Sequence, residues 1–180
     1  MGKKILALSA SARKNGNSSM LCDEFLRGAK DAGHETEKIF LCDKKINGCL
    51  GCFTCQKNGG ECIQNDDMSG LYEKMRATDV VVFASPVYFY SFNAQMKTVL
   101  DRTIALHETF CDKTAYLIAA GQAPEEKYMT TMIDGFRKYI GCFPNIREGG
   151  IVFGYGVSDV GDVKGNPAME QAYEMGKNAG

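Results

Sequence analysis

The chain has almost no net charge, almost no histidine and no long apolar run, and each shortage removes a class of function. Its 21 Lys and Arg against 22 Asp and Glu leave a formal charge of -1. That gives no basic footprint for nucleic acid and none for an anionic membrane. No apolar run approaches the roughly 18 residues of a bilayer span. The opening Met1 to Leu8 is too short for a signal peptide, and Leu6 stands where a myristoylation pattern starting at Gly2 needs Ser or Thr. The expectation is a soluble, cytoplasmic protein. The two histidines, His34 and His107, make no Cys–His couple, which argues against a thiol hydrolase. Phosphate motifs are missing as well. There is no G-x-x-x-x-G-K-[ST], and G-Y-G-V-S-D-V-G from Gly154 comes too late and is wrongly spaced for G-x-G-x-x-G. ATP and a Rossmann-bound dinucleotide are therefore disfavoured.

What is present alternates strand and helix over 180 residues, a length suited to one domain, residues 1–180, with a sizeable core. Strands are expected at Lys4–Ser9, His34–Leu41, Asp79–Ser85, Thr114–Ala120 and Ile146–Tyr155, the last broken by Gly149-Gly150. Helices are expected at Ser18–Ala32, Met68–Ala77, Phe92–Leu106, Glu125–Ile140 and Pro167–Lys177, with apolar residues at three- and four-residue spacing. Asp79–Ser85, D-V-V-V-F-A-S, is apolar on both faces, as a central parallel strand should be. The pattern predicts an α/β fold, a doubly wound five-stranded parallel sheet that binds ligands at the carboxyl ends of its strands.

Three strand ends carry suitable material. Behind the first lies S-A-S-A-R-K-N-G-N-S-S, Ser9 to Ser19. A strand opening through such a loop into a helix gathers unpaired N–H groups and a positive dipole end, which suits a phosphate. Ser9, Ser11, Asn17, Ser18 and Ser19 add donors, and Arg13 or Lys14 adds charge; an ordinary Ser/Asn-rich cap remains the plain alternative. Behind the third strand lies S-P-V-Y-F-Y-S-F-N, with four aromatics among Tyr88–Phe92. Exposed rings are costly unless they stack on something flat, or pack beneath the next helix. Behind the fourth, Gly121 allows close backbone approach and Gln122 can hydrogen-bond a heteroaromatic edge. Together the three describe a site for a phosphorylated flat heterocycle.

Four stretches carry a family resemblance across essentially the whole chain: S-A-S-A-R-K-N-G-N-S, C-L-G-C-F-T-C-Q-K-N-G-G-E-C-I-Q-N-D-D-M, S-P-V-Y-F-Y-S-F-N-A-Q-M-K-T-V-L-D-R-T and G-V-S-D-V-G-D-V-K-G-N-P-A-M. The chain resembles the flavodoxin-like family of NAD(P)H-dependent FMN reductases, in the branch that includes iron-sulfur flavoproteins. The resemblance implies the strand order 2-1-3-4-5 and a flavin oxidoreductase passing electrons from NAD(P)H through FMN to a quinone, flavin or other small acceptor. It implies that Ser9, Ser11, Arg13, Asn17, Ser18 and Ser19 hold the FMN phosphate. Pro86, Val87, Tyr88, Phe89 and Tyr90 would line the isoalloxazine ring, and Gly121 and Gln122 its other edge. Ala10 and Ala12 replace the family's Gly and Pro, and only Gly121 is kept of its Gly-rich loop after the fourth strand. A homodimer or higher homo-oligomer covering part of the flavin is the expected assembly. A non-enzymatic flavodoxin-type carrier is the rival, though such carriers are usually strongly acidic.

Eight cysteines are many for a reducing compartment, and four crowd the long irregular segment at about residues 42–67. Cys49, Cys52, Cys55 and Cys62 read C-x2-C-x2-C-x6-C. Three thiolates at successive three-residue intervals can converge, and a fourth can return from a Gly-containing loop. The spacing resembles the compact cluster motif of the iron-sulfur flavoproteins. A [4Fe-4S] cluster, a zinc ion and thiols without metal all stay open. Asp66 and Asp67 read as helix-start acids, and Lys97, Asp101 and Arg102 as a helix ion pair plus an interface cation.

Overall fold

The structure is a computed structural model describing residues 2–180. Six strands form: β1 (Lys4–Ser9), β2 (Glu35–Phe40), β3 (Val80–Tyr88), β4 (Ser91–Phe92), β5 (Thr114–Ala120) and β6 (Arg147–Gly154). Five helices alternate with them: α1 (Asn17–Asp31), α2 (Met68–Ala77), α3 (Ala94–Arg102), α4 (Thr130–Ile140) and α5 (Ala168–Lys177). Five strands run parallel in the order β2-β1-β3-β5-β6, and β4 pairs antiparallel with the end of β3. Leaving β4 aside, this is the expected 2-1-3-4-5 winding.

Burial explains why the strands read so clearly. Every residue of β5 is buried, as are five of the six in β1, because helices cover both faces of the sheet. The two-residue side-chain period divides the core. Val81 and Phe83 face α2, α3 and α4 through Met75, Met96 and Phe136. Val80, Val82 and Ala84 face α1 and α5 through Leu21, Phe25 and Ala172. Strand order reverses between β1 and β3, so their carboxyl ends open a crevice where β5 supplies a third edge.

Several boundaries differ from the sequence expectation. β3 runs past Ser85 to Tyr88, because Val87 and Tyr88 pair with Phe92 and Ser91 across a two-residue turn. Phe92 therefore belongs to β4, and α3 starts at Ala94 behind Asn93, whose side chain accepts the Met96 N–H. The last turn expected of that helix, Thr103–Leu106, winds as a 3-10 helix, and α4 starts at Thr130 after another short 3-10 turn. The glycine pair in β6 is absorbed as a register shift opposite Ala115 and Tyr116 rather than a break.

Candidate functional site

β1 delivers Ser9 to the crevice, and the chain turns through residues 10–16 before α1 begins. The Ser11 hydroxyl donates to the Arg13 carbonyl at 2.5 Å and accepts the Arg13 N–H at 3.2 Å, which folds the loop tightly on itself. Gly16 sits at the cap of α1, where a Cβ would meet the Ser11 hydroxyl oxygen at 2.4 Å. With no side chain there, nothing from the cap covers the first-turn N–H groups. Among the described residues the N–H groups of Asn17, Ser18 and Ser19 find no acceptor. Beside them the Ser18 hydroxyl is buried and unpaired. A dipole end, bare N–H groups and an orphaned hydroxyl fit a phosphate.

The expected phosphate residues divide. Ser11, Arg13, Asn17 and Ser18 line a single cavity of about 350 Å³. Ser19 does not, because its hydroxyl donates to the Lys14 carbonyl at 2.7 Å and accepts from Lys38 at 2.8 Å. Ser9 lies outside the lining too, fully buried with its hydroxyl unpaired. Lys14 pairs with Asp43 at 2.8 Å on the surface.

Across the cavity, Pro86, Val87, Tyr88 and Phe89 supply the wall. Phe89 and Tyr90 form the turn between β3 and β4 with φ of 48° and 63°. Both lie in the left-handed region that hairpin turns of two residues require, and where Asn or Gly is usual. Phe89 projects almost wholly into solvent, and Tyr90 stands outside the lining. Asn93 fixes this hairpin to the phosphate loop. Its amide donates to the Ala10 carbonyl at 2.6 Å while its oxygen accepts from Met96 and Ser85. Gly121 and Gln122 line the third edge with Ala120.

Sequence reasoning missed one wall. Val157 and Ser158, in the segment after β6, line the same cavity. Asn17 anchors that segment, donating to the Asp159 carbonyl at 2.8 Å and accepting the N–H groups of Gly161 and Val163. Arg13 donates to the Ser158 carbonyl at 3.1 Å, and Gln122 to the Ser158 hydroxyl at 2.8 Å. The N–H groups of Ser158 and Asp159 hold the Asp162 carboxyl below its ordinary value. The readable signal was position: this loop follows a strand whose carboxyl end meets the same sheet edge.

The cysteine loop builds a second cavity, of about 380 Å³, bordered by the end of α3. Cys49, Cys52, Cys55 and Cys62 all line it, with Leu50, Phe53, Ile63 and Ile104 between them. The Thr54 N–H and hydroxyl hold the Cys52 thiol below its ordinary value, whereas burial pushes Cys55 up. Among the described residues no three His, Cys, Asp or Glu side chains gather closely enough to share one ion. Four cysteines around one largely apolar space are a donor set of the kind that iron-sulfur clusters use.

Asp66 and Arg102 meet behind this loop. Their ion pair is 2.7 Å long with side chains 5% and 1% exposed, so Arg102 is a core cation rather than the expected interface one. Lys97 and Asp101 do form the exposed helix pair, at 2.6 Å.

The profile of the NADPH-dependent FMN reductase family matches residues 3–132. The chain belongs to that family. This FMN reductase family member is 44% identical over 101 residues to an iron-sulfur flavoprotein of Archaeoglobus fulgidus, covering 56% of this chain and 46% of that one. It is 36% identical over 131 residues to an iron-sulfur flavoprotein of Methanocaldococcus jannaschii, covering 72% and 67%. The matches thus span about half to two thirds of these relatives' length. A solved NAD(P)H:quinone oxidoreductase from Methanothermobacter marburgensis superposes with a TM-score of 0.76 at 16% identity, covering 99% of both chains. An FMN-dependent NADH-azoreductase from Bacillus anthracis, solved with FMN, superposes at 0.69 with 16% identity, covering 96% and 97%. At that identity the likeness is one of fold, and the fold is flavodoxin-like. Among the described residues no helix is long and apolar enough to cross a membrane.

Proposed function

We propose that this family member is an FMN-dependent oxidoreductase that accepts electrons from NADH or NADPH and passes them to a small acceptor such as a quinone or free flavin. One observation carries the reading. The crevice between β1, β3 and β5 joins bare N–H groups and an unpaired Ser18 hydroxyl at one end to the Pro86–Phe89 wall at the other. FMN supplies hydride acceptance and onward electron release when bound. The chain supplies the rest. Ser11, Asn17, Ser18 and Arg13 hold the phosphate, Pro86 to Phe89 exclude water from one side of the ring, and Gly121 and Gln122 with Val157 and Ser158 close the other. Ser19 acts from behind, tying the loop to Lys14 and Lys38, whereas Ser9 and Tyr90 stand outside the cavity.

The thiol cavity favours an addition to this reading, in which Cys49, Cys52, Cys55 and Cys62 hold a [4Fe-4S] cluster that shares in electron transfer. The donor set and its spacing around one apolar space support it, as do the names of the relatives. Exposed Leu50, Phe53, Ile63 and Phe89 support a homodimer.

The test is anaerobic addition of NADH or NADPH to the FMN-loaded chain. Bleaching of the visible flavin bands without another protein is expected. Bands that dithionite bleaches but neither nicotinamide does would replace the enzyme with an electron carrier.

A further inference from the structure

Arg102 ends α3 with its side chain in the core and its guanidinium on the wall of the thiol cavity. The fork grips Asp66 twice, Nη1 at 2.7 Å and Nη2 at 3.1 Å. Nη1 also donates to the Asn47 carbonyl at 2.8 Å. The remaining Nη2 donor points to the Cys62 sulfur at 3.5 Å, and Nε–H is buried without a partner. Asp66 is itself held from three sides, by the N–H groups of Asn47 and Met68 and by the guanidinium. Burial works against the Arg102 charge, but the bonds to the Asp66 carboxylate outweigh that and keep the guanidinium above its ordinary value.

Neither the bond of Asp66 to the first turn of α2 nor the packing of α3 calls for a guanidinium donor on a cysteine sulfur. A buried cation that donates to one of four thiols around an apolar space is placed to act on whatever those thiols hold. We propose that Arg102 raises the reduction potential of an iron-sulfur cluster held by Cys49, Cys52, Cys55 and Cys62, and that Asp66 limits the effect. The proposal rests on the cluster reading given above. Taking up one electron adds one negative charge to the iron, sulfide and thiolate unit, with no proton moved and no bond made or broken. That electron would come from FMN reduced by NAD(P)H, and each hydride, which carries two electrons, would serve two such one-electron cluster reductions in turn. Hydrogen bonds to ligand sulfurs and net charge nearby are among the quantities that set such potentials. A cation donating to the Cys62 sulfur favours the more negative, reduced form. The Asp66 carboxylate, 2.7 Å from the same guanidinium, opposes it.

The two residues therefore have opposite signs, which general loosening of the loop would not produce. The full chain is purified without oxygen, its iron and sulfide are counted, and its cluster midpoint is titrated by electron paramagnetic resonance. Arg102→Gln is expected to lower the midpoint by about 59 mV, a tenfold shift of the oxidised-to-reduced ratio for one electron. Asp66→Asn, which keeps one acceptor oxygen for either the Asn47 or the Met68 N–H and removes the negative charge, is expected to raise it. Arg102→Lys keeps the charge and is expected to fall between wild type and Arg102→Gln. Midpoints that move the same way in Arg102→Gln and Asp66→Asn, or an unmoved midpoint in Arg102→Gln at full iron content, overturn the proposal. Should Arg102→Gln hold no iron, Asp66→Asn decides alone, and an unmoved or lowered midpoint overturns it. A wild-type chain that takes up no iron or sulfide on reconstitution overturns the cluster reading itself, and is recognisable because there is then no midpoint to shift.

Discussion

Ser18 and Ser19 are neighbours with the same hydroxyl, and the fold gives them different work. Ser18 keeps its hydroxyl unpaired beside bare N–H groups, whereas Ser19 spends its own on Lys14 and Lys38. Charge-assisted hydrogen bonds contribute about 1.5 kcal/mol or more, so Ser18→Ala should weaken FMN binding about tenfold. Ser19→Ala should leave it within about twofold; fluorescence titration of both variants separates them, and equal losses would contradict the division. Composition alone could not make this distinction, because it depends on a lysine nineteen positions away folding back from β2. Cys22 shows a second residue-level effect. Burial pushes its thiol up to about 12, Lys38 pulling down and Asp23 pushing up by less. The folded state then favours the protonated thiol, so its contribution is intact below the ordinary value of 9.0 and erodes as pH rises towards 12. The cost is roughly 1.4 kcal/mol for each pH unit across that window. Denaturant midpoints should fall between about pH 9 and pH 11 in the wild type, and fall less in Cys22→Ala.

At the level of elements, β1, β5 and α2 were legible to the residue. Their buried runs end where polar loops or capping residues begin. The hairpin was not. Phe92, Met96, Val99 and Leu100 share a helical stripe, so period alone gave Phe92 to α3, and the Asn93 cap was the better signal. The turn itself holds Phe89 and Tyr90 at positive φ, a cost of about 1 kcal/mol for each. Phe89→Gly should leave stability unchanged or up to about 1 kcal/mol higher while loosening FMN. A loss of stability would show that the ring packs on the protein instead. α1 and α5 meet through Gly28 and Gly176, where a Cβ would come within 2.0 Å of the Tyr173 carbonyl oxygen and 1.9 Å of the Phe25 one. Those obstacles are backbone and cannot swing away. Gly28→Ala should cost at least about 1–3 kcal/mol by overpacking, read as a lower urea midpoint with an unchanged slope.

Across the whole molecule, the winding followed from the alternation of strands and helices, and the crevice from where the order reverses. Two things exceeded the sequence. The segment after β6 closes the cavity because Asn17 and Arg13 reach over more than a hundred residues to hold it, which no local pattern reveals. Asp66 and Arg102 looked like a helix-start acid and an interface cation until the fold buried them against each other. Large exposed apolar side chains concentrate in the cysteine loop and the hairpin, Leu50, Phe53, Ile63, Phe89 and Tyr90 among them. Self-association should cover part of that surface; sedimentation should give a dimer or larger, and a monomer with full flavin occupancy would contradict it. The central claim is that this crevice holds a flavin by its phosphate. It is tested most directly by titrating the flavin-free chain with FMN and with riboflavin, which differ only in that group. The account expects FMN to bind at least about a hundredfold more tightly, some 2.7 kcal/mol; equal affinity for the two would contradict it.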